Sequence, residues 1–493
     1  MTRPSPARTV SLTEGPIART LAVFALPVLG SNVLQSLNGS VNAVWVGRLL
    51  GETALTATSN ANLVLFLILG TMFGVGMAAT ILIAQAVGRR DMAAAKAVVG
   101  TGAVFFAAVS VVFAVAGYAL TPAILAALGT PADAMPLAID YLRVIFIAVP
   151  VMNAFSFLMT VLRGAGDSRT PFLFMILAVG LDILLNPLLI TGAGPLPELG
   201  IAGAAASTLI AQVVALVSIL VLLYARRHPL RITGGELGLL RPAPALLSAI
   251  IVKGVPMGLQ MIVISASALL LMGLVNGYGS QTAAAYGVAA QLWTYVQMPA
   301  LAIGAAVSTM AAQNVGAGRW DRVSRITTTG IAFNVVLTGV LVALLYAADR
   351  AALGIFLPSD SAAVEIAVHI NNLVAWTFVL FGITNVLFGT VRATGAVMAP
   401  LLGLIVSLLL VRTGFAYALQ GRLGADAIWW SFAAGTIAAT AFAALYYRYG
   451  GWRSAHMTAT RPAAGEAPVT GYGMPRGRAG LGEAATETSA RVP

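Results

Sequence analysis

AQAVGRRDMAAAK, residues 84–96, returns 228 positions later as AQNVGAGRWDRVSR, residues 312–325. Two further pairs keep nearly the same step. LRGAGDSRTPFLFMIL from Leu162 matches VRATGAVMAPLLGLIV from Val391, and LPVLGSN with Pro27 matches VPMGLQM with Pro256, both at an offset of 229. Apolar matches arise by chance among Ala- and Leu-rich segments. Pro, Gly, Arg and Gln recurring at one offset in three places do not, so the chain reads as a duplication.

Composition says what was duplicated. The 493 residues are 59% hydrophobic and only 9% charged, with a mean hydropathy of +0.91. A soluble domain carries about 25% charged residues, so the bilayer is the solvent here. A spanning helix needs about 20 apolar residues. Twelve such segments are expected, at 17–40, 53–84, 95–120, 135–160, 170–191, 201–224, 245–276, 282–312, 325–347, 362–390, 397–420 and 425–448. A transmembrane barrel would instead read as alternating ten-residue segments. The fold class is therefore all-α integral membrane, with twelve transmembrane helices in two six-helix repeats. Six is even, so both repeats have the same orientation, and a pseudo-two-fold axis along the membrane normal relates them.

The net charge of +11 would suggest nucleic acid in a soluble protein. Here it reads as topology, because Arg and Lys mark short cytoplasmic loops. Arg89, Arg90 and Lys96 follow the second span, Arg163 and Arg169 the fourth, and Arg226, Arg227, Arg231 and Arg241 the sixth. Arg319, Arg322 and Arg325 follow the eighth and Arg392 the tenth, and the intervening loops hold little beyond Arg48, Arg350 and Arg422. Both termini are expected in the cytoplasm and the chain in the plasma membrane, with lipid and a small-molecule substrate as partners and no nucleic acid. The organisation expected is a polar arm over 1–14, lobes over 15–225 and 245–449, a basic linker over 226–244 and a disordered tail over 450–493. The first twenty residues are polar and lead into a full-length helix, so no cleaved signal is expected. There is no cysteine, and His228, His369 and His456 show no metal-ligand spacing. No metal or cofactor is expected beyond a coupling ion.

One stretch breaks the apolar pattern. GLDILLNPLLI, residues 180–190, places Asp182 and, one turn later, Asn186 in an otherwise apolar span. Residues four apart share a helix face. A mid-membrane aspartate costs about 2.5–3.5 kcal/mol on insertion scales and reads by default as functional. Asp182 is the one acid read as deep in a span. Asp140 and Glu365 fall near helix ends, and Glu52, Asp133, Glu198, Asp349, Asp360 and Asp426 in or beside loops. The plainer alternative is that Asp182 only hydrogen-bonds neighbouring helices.

With VWVGRLLG from Val44, LGIAGAAASTLIAQ from Leu199 and TAAAYGVAAQLWTYVQMPALAIGAAVSTMAAQNVGAG from Thr282, these motifs resemble the MATE (multidrug and toxic compound extrusion) exporters, closest to the DinF-like branch. The resemblance spans roughly residues 15–450. It implies two six-helix bundles exporting drugs or metabolites in exchange for protons or sodium. Proton-type members carry an acid on the first helix and an Asn…Asp pair on the fifth. Here the fifth-helix pair is Asp182…Asn186, in exchanged order, and the first-helix acid position holds Asn42. Sodium-type members carry a Glu shortly after the seventh-helix Gly-x-Pro, and this chain has no acid after Gly254 in that span. The resemblance therefore implies proton coupling, with sodium still possible.

Asn38 and Asn42, a turn apart on the first helix, and Thr208, where the family has a Thr, are expected to join Asp182 and Asn186 in one polar pocket. Interhelical hydrogen bonding alone would explain Asn38, Asn42 and Thr208 equally. Pro27 is the expected hinge, since a proline interrupts the helical ladder. Candidate substrate-lining residues are Gln35, Met72, Gln260, Met261, Gln291, Trp293, Met298 and Asn385, with ordinary packing as the alternative for each. Arg143 is expected to pair with Asp140 three residues earlier. Arg412, which the repeat places beside Asp182, either faces the cleft and favours an anionic group or snorkels outward.

The rival classes each lack a feature. A major-facilitator exporter usually has an Asp and a basic residue ahead of Gly-Arg-Arg, and AQAVGRRD does not. A lipid-linked-precursor flippase has extra helices and a strongly cationic cavity. A membrane-embedded enzyme needs a constellation of acids, His or a nucleophile. A channel needs rings of like residues, whereas this chain is internally two-fold and large enough to act as a monomer. The reading is a secondary antiporter that exports drugs or metabolites, organic cations foremost, in exchange for protons by alternating access of two lobes, and not an enzyme; a major-facilitator exporter or a lipid-linked-precursor flippase is the alternative.

Overall fold

Long helices account for the architecture. The computed structural model describes residues 12–192, 197–356 and 361–457. The first repeat comprises α1 (Ile17–Leu50), α2 (Glu52–Gly88), α3 (Met92–Ala127), α4 (Met135–Gly164), α5 (Arg169–Thr191) and α6 (Ile201–Ala225). The second comprises α7 (Pro244–Asn276), α8 (Ser280–Gly316), α9 (Trp320–Leu353), α10 (Ala362–Val374), α11 (Thr377–Arg392), α12 (Met398–Leu404), a π-helical stretch Ile405–Arg412, α13 (Thr413–Leu423) and α14 (Asp426–Tyr449). Among the described residues, ten helices are long and apolar enough to cross a membrane, and α10 with α11 makes an eleventh span. The 37-residue α2, charged only at Glu52, completes twelve.

The helices overrun the expected spans. α1 continues to Leu50, α3 to Ala127 and α9 to Leu353, because hydropathy marks membrane depth whereas helical hydrogen bonding continues beyond it. The tenth span, expected as one helix, breaks by 45° between Val374 and Thr377. Trp376 Nε1 donates to Leu373 O over 2.9 Å and so occupies a carbonyl at the break. In the eleventh span the ladder widens into the π-helical stretch.

Packing repeats as the sequence does. α2 packs on α4, α3 on α4, α4 on α6 and α5 on α6; in the second repeat α8 packs on α11, α9 on α11, α11 on α14 and α13 on α14. Between repeats, α2 meets α7, α1 meets α8, and α2 crosses α8 on the pseudo-axis. The crossings are close because glycines occupy them. A Cβ on Gly74 would lie 2.1 Å from Gly258 N, and one on Gly254 would lie 2.7 Å from Val75 Cα. Without water in the bilayer to drive association, such small-residue contacts decide how helices fit. The surface keeps large apolar side chains, among them Val115 at 66%, Leu184 at 65% and Leu269 at 72% exposure, as a lipid-facing surface requires.

The segments between and beside the spans are partly built in. Leu12, expected in a polar arm, is fully buried, and its carbonyl accepts from Asn314 Nδ2 at 3.0 Å. The linker contains a 3₁₀ turn, Gly234–Leu240, tied to α3 by Lys96 Nζ on Glu236 Oε1 at 2.6 Å. Described structure continues past the expected tail boundary at 450. Trp452 is buried, stacks on Tyr447 at 5.0 Å, and its carbonyl accepts from Thr394 Oγ1 at 2.8 Å. A lone apolar indole gives no periodic signal, which is why the sequence reading ended the fold early. The rest of the expected tail and most of the arm lie outside the described residues.

Candidate functional site

The pocket forms where α1 and α5 run side by side in the same direction. Four-residue spacing places Asn38 and Asn42 on one face of α1, and Asp182 and Asn186 on one face of α5. The two faces meet in register. Asn38 Nδ2 donates to Asp182 Oδ2 at 2.9 Å, and one turn further Asn186 Nδ2 donates to Asn42 Oδ1 at 2.7 Å. α6 supplies two hydroxyls. Thr208 Oγ1 lies 3.2 and 3.1 Å from the two Asp182 oxygens, and Ser207 Oγ lies 2.6 Å from Asp182 Oδ1. All five predicted residues are brought together.

Asp182 is 3% exposed and has no cationic partner among the described residues. Three neutral donors hold it instead. A carboxylate so bonded has its oxygens satisfied without a counter-charge. Each of the two hydroxyls has a second acceptor ready in Ala204 O, at 2.8 Å from Ser207 Oγ and 3.4 Å from Thr208 Oγ1.

In front of the cluster lies a cavity of about 190 Å³ between α1, α2, α4 and α6. Its wall includes Asn38, Asn42 and Thr208 together with Gln35, Thr58, Ser59, Asn62 and Tyr141, and its apolar part is Val46, Leu55, Leu65, Ile145 and Met152. Asp182 sits one hydrogen bond behind that wall. Ser207 and Tyr141 escaped the sequence reading. Ser207 is adjacent to the predicted Thr208, and Tyr141 is buried and faces Asn42 and Asp182. Thr58 and Asn62 carried a legible signal, being polar residues four apart in an apolar span.

Of the other predicted lining residues, only Gln35 lines this cavity. Gln260 is buried and accepts from Arg392 Nη1 at 2.9 Å. Trp293 is core: its Nε1 donates to Asn371 Oδ1 at 2.8 Å, and Asn371 Nδ2 donates to Asp349 Oδ1 at 2.7 Å. Asp349, expected beside a loop, is thus buried within α9. Met72 and Met298 are buried, Met261 approaches Gly70, Gln291 is exposed, and Asn385 Nδ2 bonds its own helix at Phe381 O. These residues fail as one set because they sit on different helices whose rotation the sequence does not display.

Of the two intramembrane arginines, Arg143 differs from expectation, and for Arg412 the structure decides against one of the two alternatives. Arg143 does not pair with Asp140 but lies over the Tyr118 ring at 5.2 Å, and Asp140 is exposed. Arg412 turns inward rather than snorkelling: its guanidinium carbon is 3.6 Å from the centre of the Phe432 ring, and its stem lies along Gly435. Stacking on an aromatic face offsets part of the cost of desolvating a guanidinium.

The MatE family model matches residues 27–188 and 256–418, two stretches that begin on the paired prolines Pro27 and Pro256. The chain belongs to the MATE family. It is similar to the "Probable multidrug resistance protein YoeA" of Bacillus subtilis (strain 168), 37% identical over 399 residues, covering 81% of this chain and 86% of that one. "Probable multidrug resistance protein YpnP" of the same strain is 31% identical over 443 residues, covering 90% and 97%. "Multidrug export protein MepA" of Staphylococcus aureus (strain NCTC 8325 / PS 47) is 27% identical over 405 residues, covering 80% and 86%. Among solved structures, a MATE protein in the bent conformation superimposes with a TM-score of 0.83 at 22% identity, covering 90% of this chain and 97% of that one. An outward-facing MATE multidrug transporter gives 0.82 at 22%, covering 90% and 98%. This MATE protein is accordingly a multi-pass membrane transporter.

Proposed function

We propose that this MATE protein exports small organic molecules, cations foremost, in exchange for protons bound at Asp182, by alternating access of its two repeats and as a monomer. The supporting observation is a buried carboxylate held by neutral donors only, one hydrogen bond behind a cavity walled by amides, hydroxyls and apolar side chains. Such a wall accommodates varied ligands, and the Asp182 carboxylate supplies a negative charge behind it. The names of the relatives, which concern multidrug resistance and export, support a drug or metabolite as cargo. Basic loops support a cytoplasmic position for the termini. Pro27, within the continuous α1, is the site at which that helix would bend.

The test uses inside-out vesicles with an acidic interior. Dissipation of the proton gradient on adding organic cations is followed for wild type and Asp182→Asn, with and without sodium. Sodium-independent proton release by wild type alone is the expected result. Equal proton release by Asp182→Asn would make the aspartate structural. Sodium as the coupling ion is the second reading, and one observation favours it. Asn186 Oδ1 is buried with no partner, an oxygen available to a hard cation. Sodium-driven export without proton movement would select that reading.

A further inference from the structure

The repeated AQxVG motif from which the duplication was read lies outside the coupling site, and the structure shows where it goes. Gln85, on the last turns of α2, reaches across the repeat boundary and donates from Nε2 to Ala393 O, the cap of α11, at 2.7 Å. Gln313, its duplicate on α8, reaches the opposite way and donates to Gly164 O, the last residue of α4, at 3.0 Å. Donors and acceptors are related by the same offset that relates the two halves of the sequence. Both glutamine side chains are buried, Gln85 at 7% and Gln313 at 3% exposure.

The glycines of the motif complete the contact. A Cβ on Gly88 would lie 1.9 Å from Gln313 O, and a Cβ on Gly316 would lie 2.0 Å from Gln85 O. These contacts are with backbone, so no rotamer change relieves them. The ends of α2 and α8 therefore touch backbone to backbone, each glycine seated against the other motif's glutamine carbonyl. All of this is at the end of the bundle where α1 begins and α14 finishes. The cavity is walled by the second half of α1 and the first half of α2, toward the other end. The cleft is shut on the side of the motifs.

We propose that Gln85, Gly88, Gln313 and Gly316 form a two-fold latch that holds the terminal side of the cleft closed and separates once in each transport cycle. The proposal rests on the alternating-access reading, but not on the identity of the coupling ion. An inward-open state requires α2 and α8 to part at these ends, and parting exposes two amides and two carbonyls that now satisfy each other. Their symmetry means that neither repeat opens alone.

The chain has no cysteine, so spin labels can be placed without background. Ala93→Cys and Asp321→Cys mark exposed, duplicate positions at the starts of α3 and α9. Distances between labels in full-length protein in lipid nanodiscs are read by double electron–electron resonance. The parent pair is expected to give a predominantly short distance. Gln85→Leu and Gln313→Leu should each raise the ratio of long to short distance about five-fold, the equivalent of about 1 kcal/mol per buried hydrogen bond. Gly88→Ala should shift it further by wedging the crossing. An unchanged distribution in both glutamine variants, with the protein monodisperse and its helical signal intact, would overturn the latch. So would a short distance that persists in Gly88→Ala. Because the measurement needs neither cargo nor proton gradient, it can succeed where the Asp182 test fails, and the reverse.

Discussion

Asn38 donates to Asp182 across the α1–α5 seam, and the next turn of the same two helices repeats the contact in reverse, from Asn186 to Asn42. The seam thus alternates: α1 gives a hydrogen bond to α5, then receives one. Tilting α1 away from α5 breaks both. The carboxylate is consequently linked to the helix that contains Pro27.

The second rung of the seam should carry a modest coupling energy. In a double-mutant cycle of Asn42→Ala and Asn186→Ala, the expected interaction is about 0.6 kcal/mol, with about 1.7 kcal/mol as the upper range for interhelical bonds in membranes. Thermal unfolding of the four proteins in one detergent measures it. Strictly additive effects would show that the 2.7 Å contact contributes nothing to holding the helices together.

A larger loss is expected at Asn371. It is fully buried and bridges Trp293 Nε1 to Asp349 Oδ1. Asn371→Leu leaves a buried indole N–H and a carboxylate oxygen without their partner, each costing about 1–3 kcal/mol. A fall in unfolding temperature, together with a change in tryptophan emission, is the expected reading.

Gly117→Ala tests packing without polarity. A Cβ there would lie 1.9 Å from Phe146 Cε1, and Phe146 is itself 1% exposed with nowhere to turn. Overpacking of this kind costs about 1–3 kcal/mol. The double variant Gly117→Ala, Phe146→Leu should recover part of the loss in the same melting assay.

The linker contact should show in the pH dependence of stability. The Lys96 ammonium, with the Thr233 N–H and hydroxyl, holds the Glu236 carboxyl at about 2, below its ordinary 4.5. A carboxyl whose folded value is depressed contributes stability that is fully present above its unfolded value and lost as pH falls through the folded one. The contribution of Glu236 is therefore present above about 4.5 and lost between there and about 2. Lys96→Met should flatten the melting curve across that window and leave its shape near neutrality unchanged. His228 acts in the same direction at higher pH. Burial lowers its value below 6.5, so its contribution is held in the neutral form and declines as pH falls below 6.5. His228→Gln should remove that upper slope.

The sequence by itself determined the membrane class, the duplication, the twelve spans and the identity of the central carboxylate. Each of these is written in one dimension. Apolar length reports crossing, a fixed offset reports repetition, and an i, i+4 pair such as Asp182 and Asn186 reports a shared face. Asn38 and Asn42 were legible for the same reason. Tertiary structure alone decided which other faces meet. Tyr141, Ser207 and Asn62 reach the cluster or its cavity because α4, α6 and α2 are rotated toward it. In helices that are apolar on every side, hydropathy does not encode rotation. That rotation is set by where glycines permit contact, as at Gly74 on Gly258. The same limit explains Arg412, whose depth was readable and whose direction was not, and Asp349, whose loop-like position hid a buried side chain. The paired AQxVG motifs show both sides of the division. Sequence marked them as duplicates, and only the fold brought each against the other.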